Sequence, residues 1–127
     1  MNNWIPFREG EYWIERACLM SPGETAAMLE EATLEIYRGR DGGLHMKGSG
    51  KIKNILIADL LEEDDDLHLL LDLGHEFKYK METPDLHAGK VFSPDIKAVL
   101  RFVPQKPWKQ IPENDFEKLF SRLDFLD

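Results

Sequence analysis

Residues 67–82 constrain this chain more than any other stretch. Leu67, Leu69, Leu71 and Leu73 recur at every second position, while His68 and Asp72 point the other way. After Gly74 and His75, the residues Phe77, Tyr79 and Met81 alternate with Glu76, Lys78, Lys80 and Glu82. A period of two belongs to extended backbone, so this stretch predicts two strands joined by a tight turn. Their apolar faces lie together, and Lys78 with its polar neighbours is expected in water. The run Lys51-Ile52-Lys53-Asn54-Ile55-Leu56-Ile57 predicts a third antiparallel strand before them, with the acidic run Glu62-Glu63-Asp64-Asp65-Asp66 at the hairpin tip. The same apolar spacing also fits a helix over residues 55–63, and periodicity alone does not choose between the two.

The flanking sequence extends this plan. Residues 11–19, rich in Tyr12, Trp13 and Ile14, predict a first strand. Ser21-Pro22-Gly23-Glu24 matches a helix start, with a capping serine, a proline at the first helical position and a glutamate at the third. A short helix over residues 25–32 follows from it, and a loop leading straight into a strand is the competing reading. Residues 33–38 and 44–47 predict a hairpin around Asp41-Gly42-Gly43, whose glycines supply positive φ. Gly48-Ser49-Gly50 reads as a second flexible turn. Residues 83–94 hold two prolines and Gly89 and predict the longest loop. Residues 96–103 alternate again as a last strand. Trp108 is placed as the anchor of a terminal helix, in which Phe116, Leu119, Phe120 and Leu123 form one apolar stripe.

The expected fold class is therefore α+β, mostly β. It is a six- or seven-stranded antiparallel meander, a barrel or sandwich, closed by a C-terminal amphipathic helix, with a short helix after the first strand. At 127 residues the chain is expected to form a single domain over 1–127. One cysteine, Cys18, excludes an internal disulfide and a cysteine zinc site, and its apolar setting marks it as core. The first residues carry no basic segment followed by an apolar block, and no apolar run approaches the about 20 residues of a membrane span. A cytoplasmic protein is expected.

The formal charge is −8, which disfavours a general nucleic-acid binder. It is unevenly distributed. Residues 38–53 and 96–110 are basic, whereas residues 24–35 and 59–66 are acidic. Glu62, Glu63, Asp64, Asp65 and Asp66 are the candidate partner-binding residues, because clustered carboxylates steer association with a basic protein. Asp64-Asp65-Asp66 lacks the spacing and glycine of a calcium loop. His68, His75 and His87 lack metal-ligand spacing, and no serine sits in a nucleophile elbow. No catalytic residue, metal or cofactor is assigned. The reading is a small acidic protein-interaction module, an inhibitor or immunity-type protein that binds a basic partner. The alternatives are a small-molecule or lipid-binding β-barrel, with its ligand between the sheet and the terminal helix, and an enzyme or metal protein of another type.

Overall fold

The computed structural model describes Ile5, residues 7–88 and residues 96–126. Among them, β1 (Gly10–Trp13) and β2 (Arg16–Met20) precede the long β3 (Thr25–Arg38) and β4 (Leu44–Lys53). The helix α1 (Asn54–Glu63) follows, then β5 (His68–Asp72), β6 (Lys78–Met81), β7 (Asp85–Ala88) and β8 (Lys97–Val103). A two-residue β9 (Lys109–Gln110), the helix α2 (Glu113–Arg122) and a two-residue β10 (Asp124–Phe125) complete the described chain. The described strands form one curled, mainly antiparallel sheet in the order β7-β8-β4-β3-β2-β5-β6-β9, with β1 and β10 also paired to β3, so ten strands in a single curled sheet replace the six or seven expected in a barrel or sandwich.

The fourteen residues of β3 serve both halves of that sheet. Its first half pairs with β2 on one side and with the parallel β10 on the other. Its second half pairs with β1 and β4. The change occurs at a bulge between Glu30 and Thr33, where Glu31 adopts a φ of 50°. A bulge bends and twists its strand, and here it turns β3 from one half of the sheet into the other.

The helix expected over residues 25–32 is thus a strand. Ser21-Pro22-Gly23-Glu24 forms a hairpin turn: the Ser21 N–H donates to the Thr25 carbonyl at 2.8 Å, and the Glu24 N–H to the Ser21 carbonyl at 3.0 Å. Serine followed by proline suits the first positions of such a turn as well as it suits a helix start. Ala26 packs in one core and Ala27 with Leu29 in another, so both faces are covered at the start of this segment, whereas Met28, Glu30 and Glu31 are exposed. The run Ala26-Ala27-Met28-Leu29 is apolar on both faces, which hides the strand's alternation, and alanine, leucine and glutamate favour helix by propensity.

The third strand expected before residues 67–82 ends at Lys53, and α1 begins at Asn54. The acidic run is therefore not a hairpin tip. It forms the last turn of α1 and the loop after it. Pairing of β4 with β3 stops at Glu30 opposite Lys51, and β10 takes the adjoining place beside Thr25 and Ala26. The chain leaves the sheet there and crosses as α1, so β5 lies next to β2 rather than β4. The two strands over residues 67–82 stand as expected, with Leu69 opposite Met81 and Leu71 opposite Tyr79. Residues 83–94 are not simply loop, since they contain β7; residues 89–94 lie outside the described part.

Two cores lie on opposite faces of β2, β3 and β5. The larger gathers Ala17, Leu19, Leu34, Leu69 and Leu71, with Leu56, Ile57 and Leu60 of α1. The smaller holds Cys18, Met20, Ala26 and Leu70 under Phe116 and Leu123 of α2. The apolar stripe of α2 does face the sheet, with Leu119 and Phe120 partly buried beside it. Its role differs from the expected one, because α1 covers the main core and α2 covers the reverse of the sheet. Trp108 belongs to the main core, stacked on Tyr79 at 4.4 Å, and does not anchor α2.

Gly48 and Gly50 are not a turn but inward-facing positions of β4. A Cβ on Gly48 would stand 2.2 Å from Cζ of Phe102, and one on Gly50 would stand 3.0 Å from Cβ of Leu29. The missing side chains make room for Phe102 and for the bend of β3.

Candidate partner-binding site

The charged blocks of the sequence are not separate surfaces. Strand pairing sets most of the acids of residues 24–35 against the basic blocks. Glu35 lies opposite Lys47 in register, with its carboxylate 3.9 Å from the ammonium. Glu31 pairs with Lys51 at 2.6 Å, which lowers its pKa, and Glu30 pairs with Lys97. Glu24 meets Arg122 of α2 at 2.8 Å. Glu82 holds both Lys109 and Lys106, and these two cations bring its pKa down to about 2.

Residues 59–66 are the exception. Among the described residues, Asp59, Glu62, Glu63, Asp64, Asp65 and Asp66 make no ion pair. Glu63 accepts a 2.9 Å hydrogen bond from the Thr25 hydroxyl, and Asp64 accepts one of 2.8 Å from the Asp66 N–H. Glu62, Glu63, Asp65 and Asp66 are exposed. The last turn of α1 contains no basic residue. Carboxylates at a helix C-terminus oppose the helix dipole, so this placement works against local stability.

Asp65 and Asp66 stand on the rim of a groove of about 440 Å³ between α1 and the β7–β8 edge of the sheet. Its apolar lining comes from Ile57 and Leu61 of α1, Leu67, Leu86 of β7 and Leu100 of β8. Asp85 joins the rim from the sheet side. Thr83, another lining residue, has a φ of 43°. A β-branched residue in that region is strained, and such strain concentrates where backbone geometry serves a site. The Thr83 N–H donates to Nδ1 of His68 at 3.1 Å, which leaves the His68 proton on Nε2. Burial, assisted by Lys80, lowers the His68 pKa.

Of the groove residues, Leu61 carries no functional reading in the sequence, whereas Leu86 opens the apolar stretch 86–92 that reads as folding onto the core or forming part of a recognition surface; residues 89–92 lie outside the described part. The available signal was an apolar residue followed directly by charge: Leu61 precedes the acidic run, and Leu86 lies between Asp85 and His87. The groove also lies away from the expected ligand position, since α2 is on the other face. Among the described residues, no group of His, Cys, Asp and Glu side chains is arranged to hold a metal ion. No helix of the described residues is long and apolar enough to cross a membrane. No protein-family model, curated protein or solved structure matches the chain.

Proposed function

We propose that this chain is a protein-interaction module, an inhibitor or immunity-type protein, whose acidic end of α1 receives a basic partner. The contact residues are Glu62, Glu63, Asp64, Asp65 and Asp66. The carrying observation is the contrast in pairing. Glu24, Glu30, Glu31, Glu35 and Glu82 each have a cation, whereas the acids of residues 59–66 have none among the described residues, and Glu62 to Asp66 sit at the helix end where negative charge is least favourable. Unpaired charge on a protruding helix end attracts an oppositely charged surface over distance and speeds encounter.

The test begins with wild-type protein and a D64N/D65N/D66N variant, each immobilised and exposed to extract from the source cells. Partners held by wild type alone are purified, and their association rates are measured against ionic strength. The expected partner is basic, and the variant associates at least about tenfold more slowly at low salt, with a flatter salt dependence. Equal rates for the two proteins at low salt would remove the proposal.

A second reading draws on the groove itself, whose size lies in the range of small-molecule sites. Its carboxylate rim disfavours fatty acids and other anionic ligands. Displacement of an apolar fluorescent dye by neutral or cationic compounds, unaltered by D64N/D65N/D66N, would favour this reading over the first.

A further inference from the structure

The groove has one wall that the preceding proposal does not use. Among the described residues, β7 pairs with β8 alone, so its other edge has no strand beside it. A strand edge presents unpaired N–H and C=O groups and is a template for one more strand. Three of the four β7 residues border the groove: Leu86 and Ala88 face its apolar lining, and Asp85 stands on the rim. Opposite lie Leu61, 46% exposed, and the rim carboxylates Asp65 and Asp66. None of the three rim aspartates has an ion pair among the described residues. Backbone donors and acceptors, an apolar trough and a negative rim therefore run side by side.

We propose that the partner presents an extended segment, alternating apolar and cationic residues, which adds to the free edge of β7. Period-two geometry sends its apolar side chains into the groove, against Leu61, Leu67 and Leu86, and turns the alternate lysines or arginines to the opposite face of the sheet, the one Asp85 takes in β7, while a cation flanking the segment meets Asp65 and Asp66 at the rim. A partner helix would fill the trough but leave the β7 edge unpaired. Four residues of strand span about 13 Å, so a short segment suffices. This inference rests on the basic-partner reading and specifies the shape of the partner's contact element.

The probe is a short acetylated peptide of alternating lysine and valine, added to isotope-labelled full-length protein and followed by amide chemical shifts. Two controls carry the same composition. One has its lysines and valines in separate blocks, and the other is the alternating peptide with N-methyl groups at every second residue, which block strand pairing. The alternating peptide is expected to shift the amides of residues 85–88 and to saturate. Both controls bind at least about tenfold more weakly, equivalent to about 1.4 kcal/mol. Leu61→Arg places a cation in the trough at an exposed position, and binding is expected to be lost while the rest of the spectrum is retained.

If the block and alternating peptides bind equally, or shifts are confined to residues 62–66, attraction occurs without strand addition. The extended-segment inference is then overturned and the basic-partner reading stands. If no peptide binds wild type, the inference is overturned as well, and the association rates of D64N/D65N/D66N decide the basic-partner reading separately.

Discussion

The ammonium of Lys78 lies 2.9 Å from the Asp72 carboxylate, with side-chain exposures of only 5% and 3%. The two face each other across β5 and β6, and Arg16 faces Asp72 across β2 and β5. Asp72 thereby accepts from Lys78 and from Nε of Arg16 at 2.7 Å, and also from the Gly74 N–H at 2.9 Å. Lys78 donates in addition to the His75 carbonyl at 2.7 Å. Glu117 of α2 pairs with Arg16, whose guanidinium lies 4.7 Å from the Phe120 ring centre. The network fixes α2 to the reverse of the sheet. A buried charge is tolerated only when it is paired and its remaining hydrogen-bonding capacity is met, and Asp72 satisfies both conditions.

Removing one partner is therefore expected to cost more than removing the pair. Asp72→Asn leaves Lys78 and Arg16 without their shared carboxylate, at a cost of about 3–5 kcal/mol. An Asp72→Leu/Lys78→Met double variant is expected to recover most of that loss in urea unfolding. Burial alone would raise the Asp72 pKa, but the Gly74 N–H, Lys78 and Arg16 outweigh it and hold the group below its ordinary value. With the folded pKa below the unfolded one of about 3.9, the contribution is complete above pH 4 and is lost as pH falls through the folded value. Wild-type stability should thus drop more steeply below pH 4 than that of the double variant. Parallel pH profiles would show that the pair contributes nothing.

At Gly48 the expected change is large for a single methyl group. Its Cβ would meet Cζ of the fully buried Phe102 at 2.2 Å and the Thr33 carbonyl oxygen at 2.9 Å. Overpacking of this kind costs about 1–3 kcal/mol. Gly48→Ala should lower the urea midpoint, and a Gly48→Ala/Phe102→Leu variant should be less destabilised than the two single effects combined, because the shorter side chain vacates the overlap.

These two positions show where the sequence was legible. Strict alternation over residues 67–82 located β5 and β6 and the face that each turns to the main core. It placed Lys78 in water, because a period-two pattern cannot show that α2 covers the other face with Arg16, Asp72 and Glu117 nearby. Residues 25–32 read as helix because they are rich in alanine, leucine and glutamate, and because consecutive apolar residues from Ala26 to Leu29 hide the alternation of the strand. The stripe Phe116, Leu119, Phe120 and Leu123 was legible as a helix face, but not which face of the sheet it would cover. The acidic cluster was visible by composition alone. Its lack of cations, and the pairing of residues 24–35, depend on cross-strand register and could not be read from the chain.

Cys18 is fully buried beneath α2, and burial pushes its thiol up to about 12. A thiol of that kind is protonated and inaccessible at neutral pH. In native protein it should not react with an aromatic disulfide reagent at pH 8, and it should react stoichiometrically in denaturant. Fast labelling of the native protein would show that α2 detaches from the sheet far more readily than its packing implies.

Thr83 offers a stabilising change. A non-glycine residue held at a φ of 43° costs of order 1 kcal/mol, more so when β-branched. Asparagine tolerates this conformation and retains the N–H that donates to His68. Thr83→Asn is expected to raise stability by up to about 1 kcal/mol in thermal unfolding. If peptide binding at the neighbouring groove weakened at the same time, the strained backbone would be part of the site's shape.

The acidic end of α1 separates a structural from a binding role by the sign of the effect. Asp64, Asp65 and Asp66 stand just beyond the last turn, in like-charge company with Glu62 and Glu63 and without a cation to offset them. Replacing them with asparagine keeps the side-chain oxygen that accepts from the Asp66 N–H and relieves the repulsion and the opposition to the helix dipole. Each charge removed near the helix end is worth about 0.3–1 kcal/mol at low salt, so D64N/D65N/D66N should melt higher than wild type. The gain should shrink toward zero at 1 M salt, where the screening length is about 3 Å. Partner association should move the opposite way and slow down. Opposed changes of this kind are expected of residues that sacrifice stability for recognition. A variant that melted lower than wild type would mean these carboxylates hold the loop together, and the basic-partner reading would lose the contrast on which it stands.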